Sequence, residues 1–409
     1  MRKVISFLGK VARDTNYFYK GQIFPGSVFA IAMRQFLEFD EMLIFVTDEA
    51  ERQAYPVLAA LGDARIRAVK IPNGTNGAEL WQLFTALVDN VDEGDEVVFD
   101  ITHGLRSIPF LVFLVASYLR AAKNVQLHKV LYGAFELGVA GKPAPVIELT
   151  EFVTLLDWIT ATNQFIYTGN ARYLANLLRE QGDVHSAPSL AKAGDVLSDL
   201  SLAMMLCRPL EVMQQAGRLG HSLAEAEESL VQWVKPFNLL ADRIQNEYGG
   251  RALDDPTHEN NVRASLCQQL DLIGWYLDKR QVIQAVTLAR EWVVTAVGWR
   301  LGRGFVLATG ERRQIENGLG GIIRLDREQE DGSIFSEDDL STDGRALCDW
   351  PECDDLRRLW SDLTQVRNDL DHAGMSPNAA KSAKLAHKSE NKIWPALRRL
   401  AAKWGIVGD

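Results

Sequence analysis

The chain has 409 residues, of which 47% are hydrophobic and 24% are charged, and its formal net charge at pH 7 is −10. A single domain core usually holds roughly 100 to 200 residues, so this length predicts two or three domains. The acidic balance argues against a protein that coats nucleic acid non-specifically, because such proteins use Lys and Arg to neutralise phosphates. Any nucleic acid must therefore be bound at a local site.

Two features of the sequence bear on the compartment. The apolar run in the first nine residues is too short for a signal peptide, and the longest apolar run, Ile108 to Leu119, is shorter than the roughly 20 residues that cross a bilayer. The four cysteines, at positions 207, 267, 348 and 353, have no zinc-binding spacing. We therefore expect a cytoplasmic protein with free thiols, no metal site and no contact with a membrane.

Strand-like apolar runs alternate with helical patterns over residues 1–150, which predicts an α/β, Rossmann-like domain with a parallel sheet. The predicted strands are Lys3 to Leu8, Met42 to Thr47, Ala68 to Ile71, Glu96 to Ile101 and Val125 to Tyr132. The predicted helices are Val28 to Phe39, Glu51 to Leu61, Ala78 to Val91 and Leu105 to Ala122.

Strand signals end at Ile147, and the rest of the chain has the spacing of amphipathic helices. The first four predicted helices in this part are Leu149 to Leu178, Leu190 to Met213, Leu223 to Tyr248 and Val262 to Tyr276. Polar, glycine-bearing breaks at residues 246–261 and 324–349 interrupt the pattern, and the acidic second break is interpreted as a solvated loop. We expect an α/β domain at 1–150, an all-α helical linker domain at 151–260 and an all-α domain at 261–409.

Three turns at the carboxyl edge of the predicted sheet carry groups that bind phosphate. After the strand that ends near Ile101, the turn contains Thr102, His103, Gly104, Arg106 and Ser107, and a helix follows at once. The amides and dipole of a helix start favour anions, Gly104 permits close approach, and Arg106 can donate two hydrogen bonds. The other two turns contribute Gly9 and Lys10, with Tyr17 to Tyr19 nearby to stack on a base or to pack the rim, and Asn73. In the alternative interpretation, Thr102 and Ser107 only cap the helix, Asp100 accepts from buried backbone donors, and His103 is an ordinary hydrogen-bonded imidazole.

The run Asp100-Ile101-Thr102-His103-Gly104 resembles the Asp-x-Thr-His-Gly motif of CRISPR-associated CARF-domain proteins, and the Pro72 turn fits the same pattern. This resemblance implies a homodimeric, Rossmann-like sensor that binds a cyclic oligoadenylate made by type III effector complexes. A tetra-adenylate is the expected activator, and whether the sensor also degrades it stays open. The resemblance implies ligand contacts from Gly9, Lys10, Thr102, His103, Gly104, Arg106 and Ser107. Asn73, in the third turn, is included as a further candidate.

A second constellation, Arg367-Asn368-Asp369-Leu370-Asp371-His372, stands just before the helix-breaking Gly374. Arg367 and His372 are about one and a half helical turns apart, so near a helix end both can reach one small site. An imidazole can move a proton and a guanidinium can stabilise charge on a phosphoryl group, which allows the ribose 2′-hydroxyl of RNA to attack without a metal. Alternatively, a histidine at a helix end only answers the helix dipole.

The same residues resemble the Arg-x4-6-His motif of HEPN ribonucleases, in which a polar residue such as Asn368 often follows the arginine. The run Ala285 to Val294 resembles the first helix of that domain, which makes Glu291 a candidate to orient Arg367 or His372. The resemblance implies a homodimer or higher homo-oligomer in which two copies pool their motifs. Together the two resemblances predict an endoribonuclease that requires no cofactor, is activated by a cyclic oligoadenylate and cleaves single-stranded RNA.

Two other function classes are weighed against this one. A non-enzymatic regulator would bind the cyclic nucleotide and pass the signal to DNA or protein, although no basic recognition helix stands out for DNA. A nicotinamide-dependent enzyme would need the Gly-x-Gly-x-x-Gly fingerprint, which the turn at Gly9 lacks.

Overall fold

A computed structural model describes residues 1–103, 107–138, 142–234, 237–325 and 334–407, with the backbone alone for residues 237 and 238. It divides into two compact units, Met1–Asp157 and Trp158–Asp409. The first unit is α/β and the second is helical, which confirms the predicted fold class. The further boundary expected near residue 260 stays a prediction.

Eight strands in the described residues of the first unit form one sheet, in the order β3-β2-β8-β7-β6-β1-β4-β5. The five predicted strands are present as β1, β4, β5, β6 and β7. They are adjacent in the sheet, in the order β7-β6-β1-β4-β5, and each pair of neighbours among them runs parallel. The strands are β1 Arg2–Phe7, β2 Thr15–Tyr19, β3 Gln22–Gly26, β4 Glu41–Val46, β5 Ile66–Lys70, β6 Glu96–Asp100, β7 Gln126–Gly133 and β8 Ala144–Glu148.

The other edge of the sheet is mixed, which the sequence pattern did not predict. Strands β2 and β3 form an antiparallel hairpin, and β8 runs antiparallel to β7. The hairpin turns at Lys20 and Gly21, which have φ angles of 48° and 83°, the left-handed conformations that a two-residue hairpin needs. This turn was missed because residues 9–19 were interpreted as a ligand-binding turn with aromatic neighbours.

Helices cover both faces of the sheet. Successive residues of a strand point to opposite faces, and both sets of side chains are apolar and buried under helices. In β1, Val4 packs into one core with α1 to α3, whereas Ile5 and Phe7 pack into the other with α4 and α5. These helices are α1 Phe29–Phe36, α2 Asp48–Gln53, α3 Pro56–Ala59, α4 Gly77–Asp89 and α5 Ile108–Lys123. Helix α2 begins earlier than predicted because the side chain of Thr47 accepts a hydrogen bond from the Ala50 amide and caps it.

Helix α6, Thr150–Thr168, begins in the first unit, and all later helices belong to the second. A π turn at Ser389–Ile393 joins the last two helices. The helices of the second unit are α7 Arg172–Val184, α8 Pro188–Met205, α9 Pro209–Trp233, α10 Phe237–Tyr248, α11 Val262–Asp278, α12 Val282–Arg300, α13 Thr309–Arg324, α14 Thr342–Cys348, α15 Cys353–Asp371, α16 Ser382–Lys388 and α17 Trp394–Lys403. One cluster of buried apolar side chains extends from Trp158 to Ile406.

Three long helices predicted in this unit are each divided in two. The first breaks at Gly169, where φ is 75°, and the second breaks at Cys207, where φ is 55°, just before Pro209 begins α9. The third is divided between the end of α9 at Trp233 and the start of α10 at Phe237. Of the acidic break, residues 326–333 lie outside the described residues. No described helix has both the length and the hydropathy to cross a membrane.

Candidate functional site

The carboxyl edge of the parallel strands brings together most of the predicted ligand-binding residues. Strands β6, β1, β4 and β5 are neighbours and point the same way, so the turns that follow them lie along one edge. Two of the predicted residues, Gly104 and Arg106, lie outside the described residues. Those described at this edge are Gly9, Lys10, Asn73, Thr102, His103 and Ser107.

A buried hydrogen-bond network fixes the end of β6. Ser6 and Asp100 face each other across β1 and β6, and the Ser6 hydroxyl donates to Asp100 Oδ2 at 2.6 Å. The Thr102 amide donates to Asp100 Oδ1 at 2.8 Å, and the Thr102 Oγ1 accepts from the Gly133 amide at 2.7 Å. Complete burial raises the pKa of Asp100, while His103 and these hydrogen bonds oppose that rise. Asp100 and Thr102 therefore hold the turn in place.

His103 is a neutral hydrogen-bonding group at this edge. Its Nε2 accepts from the amide of Phe29, the first residue of α1, at 3.3 Å, so the ring proton is assigned to Nδ1. Burial lowers the pKa of His103, against the attraction of Asp100 and Glu136. The imidazole therefore offers an Nδ1–H donor at neutral pH rather than a positive charge.

The other described residues of this edge are accessible. Lys10 is exposed, and its Nζ lies 2.5 Å from Glu49 Oε2 at the start of α2. This contact, through the hydrogen bond from Lys10, lowers the pKa of Glu49. Asn73 and Ser107 are exposed, and Ser107 precedes α5 without capping it through its side chain. Lys10 is thus a cation at the edge whose present partner is a solvent-exposed carboxylate.

A cavity of about 450 Å³ lies beside His103, and sequence analysis missed it. The ring of Phe135, 5.3 Å from the His103 ring, forms part of its wall, together with Arg13 and Lys142. Tyr17 and Tyr19, considered as base platforms, are buried and pack against Phe29 and Phe36. Phe18, the third aromatic residue considered, is 43% exposed on β2. The turn after β7 gave no motif, so only the fold brings Phe135 to His103.

The second predicted site lies at the end of α15. His372 follows the last residue of α15 as its C-cap, and its ring is exposed, with no hydrogen-bond partner among the described residues. Arg367 Nε lies 2.7 Å from Asp371 Oδ2, and Arg367 Nη1 donates to Asn368 Oδ1 at 3.3 Å. The ion pair holds the guanidinium toward the end of the helix where His372 lies. The three remaining guanidinium N–H groups have no protein acceptor in the described part.

Glu291 does not orient this pair within one chain. Its carboxylate lies 2.5 Å from Arg312 Nη2 and 3.2 Å from Arg290 Nη1, and no contact with Arg367 or His372 occurs among the described residues. The guanidinium of Arg290 stacks on Trp360 of α15, 4.9 Å from its ring centre. Glu291 therefore organises the packing of α12 through arginines, and a catalytic role for it stays a prediction.

The geometry of the described residues shows no group of three or more His, Cys, Asp or Glu side chains that could hold a metal ion. All four cysteines are free. The exposed end of α15 carries an imidazole, that of His372, and a guanidinium, that of Arg367. This pair can move a proton and neutralise a phosphate.

Comparisons with known proteins match the middle of the chain. A family model described as CRISPR-associated protein MJ1674, second domain, matches residues 154–252. The CRISPR-associated protein MJ1674 of Methanocaldococcus jannaschii is 33% identical over 136 residues, which are 32% of this chain and 21% of that protein. The match thus spans about a fifth of the length of this curated relative. The residues that the family model matches, 154–252, extend from α6 to α10. The sequence motifs named no family for this helical region.

A solved structure is similar over the whole chain. Csm6 of Enterococcus italicus, bound to cyclic hexa-2′-fluoro-hexa-dAMP, is 10% identical, with a TM-score of 0.46, and the alignment covers 100% of this chain and 96% of that chain.

Proposed function

We propose that this chain is an endoribonuclease that is activated by a cyclic oligoadenylate and cleaves single-stranded RNA, without a metal, in type III CRISPR antiviral defence. The observation that carries the proposal is the exposed end of α15, where the ion pair of Arg367 with Asp371 lies next to the C-cap residue His372. The similarity of residues 154–252 to a CRISPR-associated protein supports the biological setting. The domain order, sensor at 1–150, helical linker at 151–260 and nuclease at 261–409, is part of the proposal.

The proposed reaction uses the nucleophile that RNA carries. The ribose 2′-oxygen attacks the adjacent phosphorus, its proton is taken up, and the bond from phosphorus to the 5′-oxygen breaks as that oxygen receives a proton. His372 moves these protons, and Arg367 stabilises the negative charge on the non-bridging oxygens. The products are a 2′,3′-cyclic phosphate and a 5′-hydroxyl. Two copies of the chain would pool their pairs around one phosphate, and Asn368 would hold Arg367 in place.

The sensor is proposed to bind the cyclic nucleotide at the carboxyl edge of the sheet. Lys10 and Arg106 would contact phosphates, His103 would donate from Nδ1, and Thr102 and Ser107 would donate from their hydroxyls. The binding site would be completed by the backbones of Gly9 and Gly104 and by the side-chain amide of Asn73. A tetra-adenylate ring is proposed as the activator, and a ring with an even number of repeats matches two identical sites related by a twofold axis.

An exposed apolar patch on α4 and α5 suits the proposed homodimer. Phe110, Leu114 and Tyr118 lie one helical turn apart along α5, and Trp81 of α4 joins them through Phe84. Trp81 and Phe110 are 69% and 70% exposed. Large exposed apolar patches commonly mark interfaces, and this one is on the helix that follows the candidate ligand turn directly.

The deciding experiment combines the purified full chain with a labelled single-stranded RNA and cyclic tetra-, penta- and hexa-adenylate, with EDTA present. We expect ring-dependent cleavage with cyclic phosphate ends, and no cleavage where the labelled RNA carries 2′-deoxyribose. His372→Ala and Arg367→Ala should each lower the rate by about 100-fold or more. Absence of cleavage with every ring would refute the ribonuclease, and binding of a ring without cleavage would favour the regulator.

Two matched variants control for general damage. His387→Ala removes an exposed histidine of α16 whose ring has no partner in the described residues, and Arg313→Ala removes an exposed arginine of α13 with no ion pair there. Both should cleave at the wild-type rate. Equal losses in these variants and in the Arg367 and His372 variants would contradict the assigned roles.

A further inference from the structure

The C-terminal helices carry a stripe of basic residues in a chain that is acidic overall. Helix α16, the π turn and α17 form one continuous helix, and the basic residues lie on one side of it. The π turn contains one extra residue per turn, which keeps the residues before and after it on the same side. At about 1.5 Å per residue, positions 384 to 403 span roughly 28 Å. The residues are Lys384, Lys388, Lys392, Arg399 and Lys403. We refer to these five residues as the basic stripe.

Helix α15 faces the stripe and neutralises only part of it. Asp362 Oδ1 lies 2.7 Å from Lys388 Nζ, and Asp355 Oδ2 lies 2.8 Å from Lys403 Nζ. Lys384, Lys392 and Arg399 have no ion pair or side-chain hydrogen bond in the part of the chain that the structure describes. Counting Arg358 of α15, these six cations have two carboxylate partners among the described residues, Asp355 and Asp362.

The unpaired cations converge on a groove. Arg358, Lys392 and Arg399 are exposed and line a cavity of about 250 Å³ between α15 and the C-terminal helix. Its floor is apolar and includes Leu359 and Pro395. The hydrogen bond from Lys403, aided by the charges of Arg358 and Arg399, lowers the pKa of Asp355. The positive charge in the groove therefore exceeds what its own carboxylates neutralise.

The basic stripe begins beside the Arg367 and His372 end of α15. The amide of Ala380 donates to Asp369 Oδ1 at 3.3 Å, which ties the approach to α16 to the last turn of α15. One turn earlier in α15, Gln365 Oε1 accepts from Lys388 Nζ at 2.6 Å. From there the stripe runs back along α15 as far as Asp355. A polymer bound along it would therefore have one end at the proposed cleavage site.

We propose that the basic stripe, with Arg358, is the track that binds the phosphates of a single-stranded RNA on its way to Arg367 and His372. The track supplies cations at several points over its length, as binding of a polyanion requires. Contacts of this kind go to phosphates and do not depend on the base sequence. Its assignment as a substrate track rests on the proposed ribonuclease activity. Its affinity for RNA can be measured without cleavage.

The test is a triple variant, Arg358→Gln, Lys392→Gln and Arg399→Gln, made in the His372→Ala chain so that RNA stays intact. Binding of a labelled 20-nucleotide RNA is followed by fluorescence anisotropy between 50 and 400 mM KCl. If three phosphate contacts are lost, the slope of log affinity against log salt should fall by about 2, at roughly 0.7 per contact with a single strand. At low salt the affinity should fall by about tenfold or more.

The control is a triple variant with the same charge change, Arg172→Gln, Arg218→Gln and Arg263→Gln. These three arginines are exposed on α7, α9 and α11, and their side chains have no ion pair in the described residues. This variant should keep the wild-type slope, because its three arginines lie outside the proposed track. If only general electrostatic attraction matters, the slope will instead fall equally in both triples. Circular dichroism of each variant checks that it is folded.

The outcomes separate the track from the activity. Equal RNA affinities and salt slopes for the triple variant of the groove (Arg358, Lys392 and Arg399) and for the control triple variant would overturn the track. This holds even if the wild-type chain cleaves RNA. A groove-specific loss of RNA binding, together with a wild-type chain that cleaves no RNA with any ring, would support an RNA-binding track and refute the ribonuclease. A poly-glutamate peptide that binds as tightly as RNA, with the same dependence on the three residues, would also overturn it, because the surface would then be one for acidic polypeptides.

Discussion

Arg367 and Asp371 form an ion pair across the last turn of α15, with 2.7 Å between Nε and Oδ2. Both side chains are nearly half exposed, and such a pair on a helix surface is worth about 0.3–0.5 kcal/mol. A phosphate can therefore displace Asp371, whose charge also repels RNA. We expect Asp371→Asn to lower the KM for RNA by about two- to threefold and to leave kcat within about twofold. A tenfold fall in kcat would mean that Asp371 is needed to position the guanidinium.

The contact between Lys10 and Glu49 should weaken binding of the activator. Lys10 must leave Glu49 before it can contact a phosphate, so Glu49→Gln should tighten binding of the cyclic oligoadenylate by about two- to fivefold at low salt. Calorimetric titration measures this. The matched control is Glu51→Gln on the same helix, whose carboxylate pairs with Lys70 at 3.0 Å. If both variants change the affinity equally, the effect is one of net charge, and the specific role of Glu49 is lost.

Asp100 should matter for the stability of the candidate turn. Asp100→Ala leaves the Ser6 hydroxyl and the Thr102 amide buried without their acceptor, at a cost of about 2 kcal/mol or more. We expect amides of β1 and β6 to exchange with deuterium about 30-fold faster through local opening, as measured by mass spectrometry. Asp14→Ala, which removes an exposed carboxylate without a hydrogen bond in the described residues, should leave exchange unchanged. Unaltered protection in the Asp100 variant would show that the network contributes little.

His103 should make the first unit less stable in acid. Its pKa in the folded protein is lowered by burial, below the value of about 6.5 of an unfolded histidine. The folded state thus binds fewer protons, and the stability from the neutral imidazole is complete above about pH 6.5 and is lost as the pH falls below it. His103→Asn, which can still accept from the Phe29 amide, should show a smaller loss of stability between pH 7 and pH 5 in calorimetry. Parallel pH profiles for the two proteins would contradict this assignment.

The apolar patch on α4 and α5 should hold the proposed dimer together. Trp81→Glu with Phe110→Glu places two charges at positions that are about 70% exposed in the single chain, so folding should be preserved. We expect sedimentation velocity to show a monomer at concentrations at which the wild type is dimeric. Phe18→Glu, on the distant strand β2, is the control and should remain dimeric. A dimer that survives the double substitution would place the interface elsewhere.

The sequence by itself determined the α/β and all-α division and the five strands that run parallel to one another. Local periodicity suffices for these, because a buried parallel strand is almost wholly apolar and each helix repeats its apolar face. It also determined the two motifs, since the residue types at Thr102 to Ser107 and at Arg367 to His372 lie close together along the chain. The sheet edge that gathers Lys10, Asn73 and His103 followed from the predicted parallel order.

Only the tertiary structure decided the antiparallel edge of the sheet, the helix breaks and the partners of each polar side chain. Hairpin β2–β3 depends on positive φ at Lys20, which local propensity does not encode. Pro209 marks the break at Cys207 in the sequence, but only the structure shows that α8 and α9 then pack against each other. Phe135 reaches His103, and Glu291 reaches Arg312 instead of Arg367, through contacts between residues distant in sequence. The basic stripe exists because packing against α15 leaves its cations more numerous than the carboxylates that face them, and that balance is a property of the folded surface.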